Sequence, residues 1–196
     1  MTLATLTRKT LEDFLSSLPE DHQSTVATAF EQLMTSDVAA GAIASGDRAP
    51  DFSLPDVRGN RLQLNEVTSE GPVVLSFYRG SWCPYCVSHL EDIQNLFPVL
   101  YKYDVQLLAI SKDEAKKSAK LAQRFDKPYV FLSDPDLATT ATYGIANDKQ
   151  LPHPAVYLVD RSGQIIWYHI DQQYKQRASG LQLKAVLEEQ FGGGDG

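Results

Sequence analysis

Cys83 and Cys86 are the only two cysteines in a chain of 196 residues, and they stand two residues apart in Trp82-Cys83-Pro84-Tyr85-Cys86. On a helix that spacing covers one turn and brings the two sulfurs near the separation a disulfide needs. The chemistry such a pair can do is a dithiol–disulfide cycle. One thiolate attacks an oxidised substrate, and the second attacks the first to release product and close the bond. A cysteine at the start of a helix faces orphan amide donors and the positive end of the dipole, which favour the thiolate. In such motifs the pKa falls from about 8.5 into the range of roughly 3.5 to 7.5. Cys83 is therefore expected to be the acidic, attacking sulfur. Cys86, one turn further in, is expected to be more buried, less acidic and resolving.

The competing chemistry is metal binding by Cys83, Cys86 and His89, but structural zinc takes four ligands and there is no second cysteine pair. No metal is expected, and no cofactor, since the cycle runs on sulfur alone. His89, on the cysteine helix, is read as a cap or as lining the surface, and His22 and His169 carry no signal. Leu151-Pro152-His153-Pro154-Ala155 contains two X-Pro bonds, either a simple turn or a site for a cis bond. Arg79, four residues before Cys83, is either a cation lent to the sulfurs or a solvated surface arginine.

The elements that must hold these residues follow from hydrophobic patterning. Pro72-Val-Val-Leu-Ser-Phe-Tyr78 is a short apolar run suited to a buried strand, and it leads through Arg79-Gly80-Ser81-Trp82 into Cys83. Leu90, Ile93, Leu96 and Phe97 then recur at helical spacing, with Pro84 placed to start that helix and Pro98 to end or kink it. A strand at 105–110, a polar helix from about Asp113 to Arg124 and a strand at 129–132 make a βαβ unit. The stretches 155–159 and 164–168, joined by Arg161-Ser-Gly163, predict a hairpin, and 181–191 a closing helix. Phe52, Leu54, Leu62 and Leu64 alternate about Arg58-Gly59-Asn60-Arg61, which predicts an earlier hairpin. Upstream, residues 1–45 predict a helical extension. Leu3, Leu6, Leu11, Phe14, Leu15 and Leu18 precede Pro19, then come Val26, Phe30, Leu33 and Met34, and a small-residue segment from Val38 to Gly46. Its apolar side covers an edge of the domain or forms a homodimer interface. The main domain is set at 46–191, and Gly192-Gly-Gly-Asp-Gly196 reads as a flexible tail.

Composition bounds the rest. With 43% hydrophobic and 22% charged residues the chain has the make-up of an ordinary globular protein. Eighteen basic against 25 acidic side chains give a formal charge of −7, with Lys and Arg scattered, which argues against nucleic acid or an anionic membrane as partner. No run approaches transmembrane length, and the first ten residues do not read as a signal peptide. Two cysteines in such a chain point to a reducing compartment, the cytoplasm by default.

At this point the residues resemble the thioredoxin superfamily and, within it, peroxiredoxin-like proteins of the alkyl hydroperoxide reductase and thiol-specific antioxidant family. The matching stretches are Gly46-Asp-Arg-Ala-Pro-Asp-Phe-Ser-Leu-Pro55, Phe77-Tyr-Arg-Gly-Ser-Trp-Cys-Pro-Tyr-Cys86, Leu132-Ser-Asp-Pro-Asp136 with Tyr143-Gly144, and Pro154 to Gly163. The resemblance implies an α/β, thioredoxin-like fold, a central mixed sheet flanked by helices, with the N-terminal helical extension added. It implies that Pro154 is a cis-proline and, with His153, faces Cys83, so that Trp82, His153 and Pro154 surround the substrate. Two positions depart from the family pattern. Gly80 stands where a Thr is usual three residues before the peroxidatic cysteine, and Pro154 where an Arg polarises the peroxide. Cys-Pro-Tyr-Cys is also the tetrapeptide of many glutaredoxins, couples near about −200 to −230 mV.

The expected function is thus a thiol-dependent antioxidant enzyme that reduces hydroperoxides or disulfides, with thioredoxin, glutaredoxin or glutathione as electron donor. The alternatives are a thioredoxin- or glutaredoxin-type thiol-disulfide oxidoreductase without peroxidase activity, and a redox-sensing binding module.

Overall fold

The computed structural model describes residues 12–20, 22–24, 26–28, 41–125, 129–147, 150–171 and 177–194. Leu3, Leu6, Leu11, Phe30, Leu33, Met34 and positions 38–40 of the expected extension lie outside these residues. Residues 12–16, 22–24 and 26–28 are helical. Ala42 and Ile43 already pack on the main core.

The centre is a five-stranded sheet of β3 (Val73–Tyr78), β4 (Gln106–Ser111), β5 (Tyr129–Ser133), β6 (Ala155–Val159) and β7 (Ile165–Ile170), in the order β5-β4-β3-β6-β7. β3, β4 and β5 are parallel, while β6 runs antiparallel to both β3 and β7. Every residue of β3 is buried, as expected of a central strand whose apolar run does not alternate with polar residues. Its side chains still divide by the two-residue period. Val73, Leu75 and Phe77 meet Leu108, Ile110 and Tyr157 on one face, and Val74 meets Leu107, Val156 and Leu158 on the other. A separate two-stranded hairpin, β1 (Ser53–Pro55) with β2 (Arg61–Gln63), contributes Phe52 and Leu54 to the first face.

From Leu64 onward the described residues form six helices: α1 (Leu64–Glu70), α2 (Pro84–Gln94), α3 (Phe97–Lys102), α4 (Ala115–Ala122), α5 (Ala138–Thr142) and α6 (Gly180–Phe191). Ile93, Leu96, Leu100, Leu183 and Leu187 cover the second sheet face, so α2, α3 and α6 lie together there. Gly192–Gly194 extend α6 by one 3₁₀ turn.

Two expectations change. Leu64 opens α1 instead of closing the hairpin strand, because Asp51 draws the chain into a turn by accepting from the Asn65 amide at 2.9 Å and the Gln63 side chain at 2.7 Å. Pro98 does not end the cysteine helix. That helix stops at Gln94, and Pro98 sits in the first turn of α3, where its missing N–H costs nothing. Leu132-Ser-Asp-Pro-Asp136 runs into the short α5, whose first turn Asp134 caps through the Thr140 amide at 2.8 Å and hydroxyl at 2.7 Å.

Candidate active site

Strand polarity puts the carboxyl ends of β3, β4 and β5 on one edge of the sheet, together with the start of β6 and the end of β7. The chain order reverses between β3 and β6, and in open α/β sheets such a switch point is where ligands bind. Residues 79–83 leave β3 at this edge. Gly80 adopts φ +147°, and a Cβ there would lie 2.7 Å from the Trp82 indole nitrogen and 3.0 Å from Asp113 Oδ1. The family's Thr therefore does not fit at this position: the indole lies against Gly80, and Asp113 Oδ2 accepts from the Ser81 amide at 2.6 Å.

Cys83 is the N-cap of α2 and Pro84 its first residue. The Cys83 carbonyl accepts from the Cys86 and Val87 amides at 3.0 and 3.1 Å. Both cysteines are free thiols, 0% exposed, with their sulfurs within hydrogen-bond reach. Around them pack Tyr78, Tyr85, Leu90, Leu121, Phe125 and Phe131.

The acidity of the pair runs opposite to the expectation from helix position. The Cys83 side chain makes no capping bond to the helix amides. Burial and the hydrogen bond it donates to Cys86 hold its thiol well above the usual range. Burial also pushes Cys86 up, but the bond from Cys83 and the charges of Arg177 and Arg79 outweigh it and hold Cys86 at about 5. The pair thus keeps one proton, on Cys83, and one negative charge, on Cys86.

Arg79 is 2% exposed, so it is not a solvated surface residue. Arg177 was not foreseen at all. It is buried, its Nη2 donates to Cys86 Sγ at 3.5 Å, and its Nε lies 3.1 Å from Asp171 Oδ2. Asp171 Oδ1 is 3.3 Å from His169 Nε2. The cysteine helix itself places Arg177: His89 Nε2 donates to the Ala178 carbonyl at 2.8 Å, and Asp92 accepts from the Gly180 amide at 2.7 Å. Ser179 and Gln182 close a capping box at the same point.

His89 is buried and not at the surface. Burial and the nearby Arg177 charge lower its pKa to about 4, so at neutral pH it is the uncharged Nε2–H tautomer. A histidine whose folded pKa lies below its unfolded value contributes full stability above pH 6.5 and loses it as pH falls towards 4. Stability is therefore expected to drop by about 3 kcal/mol between pH 7 and 4 through this residue. Urea unfolding at the two pH values checks this, with His89→Gln expected to shrink the difference by about 3 kcal/mol and to leave the part that protonation of Cys86 contributes.

His153 and Pro154 stand at the same edge. Ala155 pairs with Phe77, so Pro154 falls beside the end of β3. Its carbonyl accepts from the Asp171 amide and the His153 amide donates to Ile145, at 2.8 and 2.7 Å. Among the described residues every peptide bond is trans, including that to Pro154, which corrects the cis expectation; these two backbone bonds hold the segment in the ordinary isomer. Trp82 is 45% exposed and is the large apolar side chain at the mouth of the site. Among the described residues no three Cys, His, Asp or Glu side chains are arranged around a metal position, and no helix is long and apolar enough to cross a membrane.

Residues 45–168 match the family model described as AhpC/TSA. Thiol-disulfide oxidoreductase ResA of Geobacillus kaustophilus is 31% identical over 148 residues, 75% of this chain and 76% of that one. The chloroplastic peroxiredoxin Q of Triticum aestivum is 24% identical over 76% of this chain and 69% of its own. Peroxidoxin BcpB of Mycobacterium tuberculosis superposes with a TM-score of 0.68 at 27% identity, covering 75% of this chain and 97% of its own. With peroxidoxin BcpB the likeness is one of fold as well as of sequence. The chain belongs to the AhpC/TSA family of the thioredoxin superfamily and is a thiol oxidoreductase, a peroxidase or disulfide reductase.

Proposed function

We propose that the chain is a thiol peroxidase in which Cys83 and Cys86 reduce hydroperoxides and close to a disulfide. The observation that carries this reading is the Arg177 guanidinium, buried 3.5 Å from Cys86 Sγ with Arg79 buried nearby. Charge aimed at a departing oxygen inside a dry site is usually the largest part of such catalysis. These arginines offer the cation that the family places where Pro154 stands here. Full burial of both sulfurs also suits a small peroxide better than a protein disulfide.

Cys83, next to exposed Trp82, attacks the distal peroxide oxygen while its proton passes to the Cys86 thiolate. Cys86 returns that proton to the departing alkoxide, giving an alcohol, and Cys83 becomes a sulfenic acid. The regenerated Cys86 thiolate then attacks the Cys83 sulfur, and hydroxide leaves as the disulfide forms. Trp82, His153 and Pro154 border the approach to the pair. Thioredoxin, glutaredoxin or glutathione returns the two electrons, in the cytoplasm, and the N-terminal helices serve as a cover or a homodimer contact.

Reduction of disulfides is the second reading, favoured by the 31% identity to a protein named a thiol-disulfide oxidoreductase. Stopped-flow oxidation of the reduced chain separates the two. Hydrogen peroxide or an organic hydroperoxide is expected to react at least about 10²-fold faster than a model disulfide. The reverse order would assign the chain to disulfide reduction.

A further inference from the structure

A cavity of about 420 Å³ opens at the end of the sheet opposite the cysteines. Gln106 and Leu107, the first residues of β4, line it, whereas β4 reaches the cysteine edge at Ser111. At about 3.3 Å per residue that strand separates the two places by roughly 16 Å, so the cavity is no part of the dithiol site. Its volume falls within the range of about 300 to 1,000 Å³ usual for small-molecule sites. Val105 and Leu107 give it a buried apolar base, and Phe97 and Tyr101 are its aromatic residues, Tyr101 standing 76% exposed. The charged residues that line it are Glu70 and Asp104, and among the described residues no Lys or Arg does.

Both carboxylates sit where the fold gains nothing from them. Glu70 is the last residue of α1, whose last turn holds no basic residue, and Asp104 follows Tyr103, the C-cap of α3. A helix carries negative partial charge at that end and favours a cation there. Lys102, the basic residue of α3's last turn, donates to the Tyr103 hydroxyl at 3.2 Å and does not line the cavity. Asp104 is also left-handed, at φ +53°. Its amide and that of Val105 donate to the Tyr101 and Leu100 carbonyls at 3.3 and 2.8 Å, a helix ending in which glycine is the usual residue at this position. Gly71 lets the two helix ends meet, since a Cβ there would lie 2.5 Å from the Asp104 carbonyl oxygen. Neither carboxylate has an ion-pair partner among the described residues.

We propose that this cavity binds an organic cation, an ammonium group carried on an apolar body. Glu70 and Asp104 supply the negative charge, the faces of the aromatic rings attract the same cation, and the apolar base takes up the body of the ligand. An anion is repelled, and a neutral ligand leaves both carboxylates without a counter-charge. The cost of Asp104 to the end of α3 is then borne for binding, the kind of local conflict that marks a functional position. The proposal is independent of which oxidant the cysteines reduce.

The test is an NMR titration of the full chain at low salt, with benzyltrimethylammonium as probe and benzyl alcohol as its neutral counterpart. The cation is expected to shift the amides of Val105, Gln106 and Leu107 at millimolar concentration and to bind about tenfold more tightly than the alcohol. Glu70→Gln and Asp104→Asn are each expected to weaken it about threefold, and Tyr101→Ala about two- to fivefold. Asp104→Asn is expected at the same time to raise the urea midpoint, since Asn tolerates the left-handed position and sets no charge against the helix end. No shift at those amides, equal binding of the alcohol, or a lower urea midpoint for Asp104→Asn would each overturn the proposal. So would a dimer, seen by analytical ultracentrifugation, that Tyr101→Ala dissolves, because it would give the cavity to a second copy of the chain.

Discussion

Replacing Cys83 with serine is expected to reduce hydroperoxide turnover by at least about 10⁴-fold, since a hydroxyl at that place is un-ionised and no other sulfur takes its part. Cys86→Ser should fail differently. Without the Cys86 thiolate as base, the first oxidation slows by about 10² to 10⁴-fold. It then halts after one event, with a sulfenic acid on Cys83 that dimedone traps. Multiple turnovers by Cys86→Ser with a reductant present would show that the second sulfur does not resolve. Dimedone on Cys86 in the Cys83→Ser chain, at the wild-type rate of oxidation, would exchange the two roles. This variant discriminates between the roles because the resting anion sits on Cys86, the sulfur Arg177 touches.

Arg177→Met should slow peroxide oxidation at pH 7 by about 10² to 10³-fold, the usual loss when one preorganised charge-bearing donor is removed. The pH profile gives the sign. Cys86 is held at about 5, so the wild-type rate is expected to be flat above pH 6 and to fall as pH drops through 5 and the sulfur takes a proton. In Arg177→Met the lowering charge is gone, and the acid limb moves upward towards the ordinary thiol range. Arg177→Lys keeps a point charge but loses the planar fork, so it should recover only part of the rate. Stopped-flow rates from pH 4.5 to 9 read both effects. An unmoved acid limb in Arg177→Met would remove this arginine from the mechanism.

The dithiol and its seat are legible in the sequence because everything that positions them is contiguous. The buried run of β3, the turn at Gly80, the cysteine pair and the apolar period of α2 follow one another within 25 residues, and local patterning reaches that far. Arg177 is invisible to the same logic. It lies 91 residues from Cys86, in a polar stretch with no apolar period, and only the docking of α6 on α2 through His89 and Asp92 brings it to the sulfur. The acidity of the pair departs from the sequence expectation for a related reason. Helix position favours Cys83, but a dipole of partial charges is outweighed by two buried guanidinium groups whose approach is tertiary. Similarly α5, five residues rich in Thr, has little helical signal of its own and depends on Asp134 for its start. For Arg79 the sequence offers both site and solvent, and its burial decides for the site.

The most direct measurement is peptide mass spectrometry, under non-reducing conditions, of the reduced chain treated with one equivalent of hydroperoxide. A disulfide between Cys83 and Cys86, formed in step with loss of the peroxide, is the predicted product. Persistence of two free thiols, or oxidation that stops at sulfenic or sulfinic acid on one sulfur while the other stays reduced, would contradict the dithiol cycle on which the account rests.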